Sequence, residues 1–356
     1  MTKKRITWID FAKVIAILAV MADHMTPYGC GNLTTRVMSF YSVSLFVTVS
    51  GVTSYISYSA NTGNILNKLG KQIARCLVPY AVASFILEAV IEDSFVLTEY
   101  LKHLVNFDAK APYYYVLVYV NLCIVAPIIY TFVKKTEQAN HWLLYQGLGL
   151  LFLYALAIWL NKFTSVASIY GGGGKLLGGS YILPFYIGFC FASYTKCHRK
   201  GSFRVLGVSA SLFALIIAAF IEVKYMLRYE KIFLLGEGIN PPGVISILYA
   251  FAWAAFIYNL DGYLQSASYR KVYGAFECIS HIGEHTLYIF LYHIFILENV
   301  YASIRIRFGF AINNVLLKSV VYLFGMIAGS IVIEKILKTI GRYILYSYKE
   351  TEIRES

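Results

Sequence analysis

Apolar residues fall along this chain in runs of about 20, separated by short polar stretches that hold most of its lysines and arginines. Runs of that length let an α-helix cross roughly 30 Å of hydrocarbon, because each residue rises about 1.5 Å. Ten runs qualify: Ile6–Met25, Val37–Tyr58, Ile73–Ile91, Tyr113–Val133, Trp142–Leu160, Leu176–Tyr194, Phe203–Ile221, Val244–Leu260, Ile279–Val300 and Val315–Ile336. The pattern predicts an all-α, polytopic integral membrane protein with about ten transmembrane helices. Two runs are irregular. The sixth carries Gly178, Gly179, Gly188 and Pro184, and the ninth carries His281, Glu284, His285 and His293.

The connections sort by charge. With the N-terminus inside, the inner segments hold nearly twice as many basic residues as the outer ones, including Lys68, Lys71 and Arg75 after the second run. Positive residues concentrate on the cytoplasmic side, so both termini are expected there. Residues 1–348 read as one transmembrane domain, and Lys349–Ser356 as a short polar tail expected to be disordered. The longest outer connections, Glu92–Pro112 and Glu222–Gly243, are expected to form short interfacial helices. Met1 to Arg5 starts like a secretory signal, but Asp10 and Lys13 interrupt the run and no small-residue cleavage site follows. It is expected to remain as the first span.

Composition agrees with the periodicity. The chain is 58% hydrophobic and 14% charged, with a mean hydropathy of +0.62, where soluble proteins carry about 25% charged residues. Its net charge of +12 would suggest nucleic acid in a soluble protein. Here the basic residues sit between apolar runs, so the surplus reads as topology and no nucleic acid is expected. The six cysteines form no Cys-x-x-Cys pair and no histidine cluster accompanies them at zinc spacing, so neither a disulfide framework nor a metal is expected.

Ionisable groups inside the spans carry the functional signal, since each costs at least roughly 2.5–3.5 kcal/mol at the bilayer centre. The first span holds Asp10, Lys13, Asp23 and His24. At about 100° per residue, Lys13 and His24 return to within about 20° of one face, with Asp10 within about 60° of both. Two readings stand: a polar stripe aimed at the bundle interior, or an Asp10–Lys13 ion pair at the interface with His24 marking the outer end. In the ninth span, His285 and His293 lie about 80° apart with Tyr288 and Tyr292 between them. That seam serves either inter-helix hydrogen bonding or chemistry at His293. Glu88 reads as a bundle or interface partner. Gly171–Lys175 lacks the Ser or Thr that a phosphate loop needs after its lysine, so it reads as a flexible loop. The run Pro112-Tyr113-Tyr114-Tyr115 opens a span on the outer side, where a tyrosine plane such as that of Tyr114 could hold a sugar.

Asp10-x-x-Lys13 with His24 eleven positions on resembles the opening span of the acyltransferase-3 family of integral membrane acyltransferases. Further motifs follow in that family's order: Ser44-Leu45-Phe46 with Ser50-Gly51, Lys71 to Arg75 leading to Pro79-Tyr80, Leu183-Pro184-Phe185-Tyr186 with Gly188, and Leu287-Tyr288-Ile289-Phe290-Leu291-Tyr292-His293. The chain departs from the family at Lys13, often arginine, at Ser44, usually proline, and at Tyr114 and Tyr115, usually Trp-Phe. These departures suggest a branch resembling exopolysaccharide or fucose-type O-acetylases.

The resemblance implies an enzyme of the bacterial cytoplasmic membrane that moves an acetyl group from cytoplasmic acetyl-CoA to a hydroxyl of an extracytoplasmic sugar or polysaccharide. It implies His24 as the base, Asp10 and Lys13 as its catalytic companions, and Lys13, Lys68, Lys71 and Arg75 as receivers of the coenzyme phosphates. Tyr114, Tyr288 and His293 are the expected acceptor-binding residues. Histidine suits the chemistry because its reference pKa of about 6.5 lies near working pH. Other classes remain open: a transporter or polysaccharide-export component relaying protons through the same Asp, Lys and His residues, or a structural scaffold.

Overall fold

The computed structural model describes residues 5–60, 64–91, 95–163, 176–197, 204–228, 242–301 and 314–355, and every regular element among them is helical. In chain order these are α1 (Thr7–Met25), α2 (Leu33–Met38), α3 (Tyr41–Ser59), α4 (Ile65–Ile91), α5 (Leu97–Asn106), α6 (Tyr114–Thr136) and α7 (Trp142–Phe163). Then follow α8 (Ile182–Cys197), α9 (Arg204–Arg228), α10 (Val244–Leu264), α11 (Arg270–Ser280), α12 (Thr286–Phe295) and α13 (Val315–Glu355). A π-helical turn, Ile296–Tyr301, continues α12.

Each apolar run lies on a helix, and 7 helical segments are long and apolar enough to cross a membrane. The other three fall short for distinct reasons. Helix α1 carries Asp10, Lys13 and Asp23, while α8 has 16 residues and α12 has 10. All three pack inside the bundle. Helix α1 packs against α3, α10, α11 and α12, and its residues enter two apolar clusters: Trp8, Ile9, Ala12, Ala16 and Ala19 in one, Ile17, Val20, Met21 and Met25 in the other. Its charges are therefore screened from lipid by protein. By contrast, only 17% of the apolar window of α7 and 11% of those of α9 and α13 are buried, which leaves their outer faces to lipid.

The α3–α8 crossing depends on two glycines. A Cβ at Gly51 would run into the carbonyl of Phe185, and one at Gly188 into the carbonyl of Thr48. Backbones this close are the small-residue packing that holds membrane helices together. This crossing joins the second and sixth runs, where the sequence placed Ser50-Gly51 and Gly188.

Several elements differ from expectation. The second run breaks at Ser39–Phe40 into α2 and α3, and the sixth opens on a turn with Leu177 at φ 53° and Gly178 at φ 89°. The ninth divides into α11, a 3-10 turn at His281–Glu284, α12 and the π turn. It bends where Gly283 lies against the backbone of Asp10, a place with no room for a side chain. The expected disordered tail is instead the end of α13, whose helix runs to Glu355. The connection 92–112, expected on the outer side, contains a short amphipathic helix, α5, exposing Leu97, Leu101 and Val105 on one face. For the second outer connection, α9 continues to Arg228; residues 229–241 and the glycine loop Gly171–Lys175 lie outside the described residues.

Candidate active site

Helix α1 ends in one polar centre and begins in another. At its C-terminal end, the half-buried His24 faces the fully buried His293 of α12, with ring centroids 5.2 Å apart and planes tilted by 47°. The Nδ1 of His293 is 2.8 Å from the carbonyl oxygen of Phe290 and 3.1 Å from that of Ile289. A carbonyl only accepts, so Nδ1 carries the proton and donates. The other nitrogen, Nε2, is left with its lone pair, buried and without a partner. An orphaned acceptor in an apolar helix is costly unless something uses it. Asp23, Arg36 and Glu298 lie within electrostatic reach of His24. Asp23 pairs with Arg36 at 3.0 Å and Glu298 with Lys110 at 2.7 Å. The α12 backbone is braced here by Tyr113, whose hydroxyl donates to the Leu291 carbonyl at 2.7 Å.

At the other end, Asp10 accepts from Lys13 at 2.9 Å and from Arg5 at 3.0 Å. Arg5 also pairs with Glu284 at 2.7 Å and donates to the Ser280 carbonyl at 2.9 Å, tying α1 to the 3-10 turn. Asp10 is fourteen residues from His24, about 21 Å along a helix. Asp10 and His24 are therefore too far apart to touch, and Asp10 is paired with Lys13 and Arg5 instead. The stripe of α1 serves two centres, one at each end.

Between them lies a cavity of about 190 Å³. Lys13, Gln72, Arg75, Ser50 and Thr286 supply its polar lining, and Phe46, Cys76, Tyr115, Tyr119, Leu287 and Phe290 its apolar lining. Of the four cations expected to receive phosphates, Lys13 and Arg75 reach this cavity. Lys68 does not; its Nζ donates to the Ser57 carbonyl at 2.9 Å and covers the Tyr58 ring. Lys71 is exposed one turn from Arg75 and also stays outside the lining.

The remaining expected residues scatter. Tyr114 meets Tyr181, hydroxyl to hydroxyl at 3.2 Å. Tyr288 lies under Lys338 of α13 and stacks on Tyr292, so the structure does not bring it to the histidine pair. His285 is an inter-helix partner, 2.6 Å from the buried Glu334, which also takes Lys338 at 2.5 Å. Glu88 lies 3.9 Å from His103. Sequence reasoning passed over Arg5, Glu298, Tyr113 and the cavity rings Phe46, Tyr115 and Phe290. Arg5 read as a topology marker and the rings as ordinary span residues; only the Pro112–Tyr115 run hinted at the tyrosines.

A bundle of membrane-spanning helices in which the half-buried His24 meets the buried His293 at one end, and a cation-lined cavity reaches toward the other, defines a polytopic protein with a polar site inside the bundle. The model of the acyltransferase-3 family, an acyltransferase domain, matches residues 6–335, and the chain belongs to that family. No curated protein and no solved structure matches it.

Proposed function

We propose that the protein transfers an acyl group, acetyl in the first instance, from acyl-CoA on the cytoplasmic side to a hydroxyl of an extracytoplasmic sugar or polysaccharide. In this reading the chain crosses a bacterial cytoplasmic membrane ten times with both termini inside, as the distribution of basic residues favours. The observation that carries the proposal is the bare Nε2 of His293 facing His24, with a cavity lined by Lys13 and Arg75 on the other side of Phe290.

Lys13 and Arg75 meet the coenzyme phosphates, with Lys71 and Lys68 further along α4 drawing the anion in. The pantetheine arm lies in the cavity, and the rise from Lys13 to His24, about 16 Å, is comparable to its length. The acceptor hydroxyl enters from the opposite end. His24 takes its proton as the oxygen attacks the thioester carbonyl; a C–O bond forms, the C–S bond breaks, and the coenzyme leaves as its thiol once protonated. His293 accepts, through Nε2, a hydrogen bond from a neighbouring hydroxyl of the acceptor and so aims the attacking one at the thioester. Asp10, held between Arg5 and Lys13, positions Lys13 rather than His24. Tyr114 stands at the acceptor side.

The test is radiolabelled acetyl-CoA supplied to the cytoplasmic face of vesicles that retain envelope glycan. Label in extracytoplasmic glycan that depends on His24 supports the reading. Full-rate labelling by correctly inserted His24→Ala protein removes His24 as the base, and movement of substrate without covalent change favours transport.

A further inference from the structure

Phe46, Tyr115 and Phe290 line the cavity and touch one another. The Phe46 and Tyr115 centroids are 6.2 Å apart, and those of Tyr115 and Phe290 are 5.3 Å apart with planes at 61°. On its other side, Phe290 lies 6.1 Å from the ring of His293, which in turn faces His24 at 5.2 Å. Aromatic centroids 4.5–7 Å apart are in direct contact. The partition between the cavity and the histidine pair is therefore one side chain thick, and that side chain is Phe290. It is held in place: it is buried, its own carbonyl accepts from His293 Nδ1, and the next carbonyl accepts from Tyr113. The cations of the cavity lining are Lys13 and Arg75, so a donor anchored there by its anionic end directs its acyl end at the rings.

We infer that Phe290, backed by Phe46 and Tyr115, is a specificity gate that admits a short acyl group to the histidines and excludes longer ones. This rests on the donor reading above. The acyl chain leads the thioester carbon, so it must pass the edge of Phe290, which Tyr115 and Phe46 back, and lie beside that ring before the carbonyl meets the acceptor oxygen. Each added methylene has to displace a ring whose neighbours fix it. Hydrophobic pockets discriminate by roughly 10–200-fold per methylene, so two or four added carbons suffice for strong rejection. The same ring separates the thioester from water entering at the acceptor side.

The experiment supplies acetyl-, butyryl- and hexanoyl-CoA to vesicles containing the full chain, and compares wild type with Phe290→Leu and Phe290→Ala. Labelled glycan and free coenzyme are both measured. Phe290→Leu keeps an apolar side chain at the site and guards against loss of fold in the alanine variant. Wild type should favour acetyl over hexanoyl by about 100-fold or more in kcat/KM, and both variants should raise the hexanoyl-to-acetyl ratio by about 10-fold or more. Wild-type protein that uses hexanoyl-CoA as well as acetyl-CoA, or a ratio that stays put in both variants, overturns the gate alone. Wild-type protein that turns over no acyl-CoA overturns the donor reading and the gate with it.

Discussion

The rings of His24 and His293 face each other across 5.2 Å, although 269 positions separate them in the chain. Only one of the two has its tautomer settled by its own helix, through Nδ1 of His293 and the Phe290 carbonyl. Both serve the same proton transfer in the proposed reaction. Replacing either with alanine should lower acyl transfer by roughly 100-fold or more, the scale of a general base. The double variant should be little worse than the weaker single, because residues acting as a unit are not additive. Initial rates in matched vesicles check this; additive losses would separate the two roles.

Lys13 and Arg75 reach the cavity while Lys68 and Lys71 do not. Loss of a charge-assisted hydrogen bond is worth about 1.5–3 kcal/mol, so Arg75→Ala should raise the KM for acetyl-CoA by roughly 10-fold or more. Lys68→Ala should change it far less. Acetyl-pantetheine, which lacks the phosphates, should be used equally by wild type and Arg75→Ala. Unequal use would mean that Arg75 acts on the fold and not on the donor.

Gly51 and Gly188 stand where α3 and α8 touch, and a Cβ at either meets backbone that cannot yield. Gly51→Ala and Gly188→Ala should each cost about 1–3 kcal/mol or more by overpacking. Gly70 in α4 has nothing within 4 Å of its Cβ position, so Gly70→Ala should be neutral or mildly stabilising. Thermal unfolding in detergent distinguishes them. Equal behaviour of the three would mean that the crossing is looser than drawn.

Glu334 is buried at 2% exposure and holds His285 and Lys338 together. Glu334→Ala removes a buried acceptor shared by two part-exposed partners, so it should cost about 1–3 kcal/mol, unfold at lower temperature and loosen α13 from α12. Glu334→Gln, which can still accept from His285, should retain more of that stability. Hydrogen exchange along α13 reports the loosening directly.

How much was legible follows from particular residues. Asp10, Lys13 and His24 share a stripe, and helix periodicity exposed that. It did not reveal that the stripe splits, because the partner that draws Asp10 away, Arg5, lies outside the apolar run and bonds the turn at Ser280–Glu284. His293 carried two readings in the sequence; its local bond to Phe290 and its bare Nε2 become visible only in three dimensions. Phe46, Tyr115 and Phe290 stood in the quoted motifs but gave no sign of meeting one another, since an aromatic residue in a span is ordinary until its neighbours show that it lines a cavity. The break in the second run was hidden, and those in the sixth and ninth showed only as irregular composition, because hydropathy measures length and polarity, not the close approach that bends a helix.

By itself the sequence determined that the chain is a bundle of membrane helices, and roughly which stretches of it are helical. Apolar length and the spacing of cations are local properties that the bilayer reads one segment at a time. Its motifs also pointed to the acyltransferase-3 family that the chain belongs to. Only the tertiary structure decided which polar groups meet: His24 with His293, Asp10 with Arg5, and Arg75 with Lys13 at one cavity. Those pairings depend on helix crossings such as Gly51 against Gly188, where side-chain volume in one span sets the position of another far along the chain.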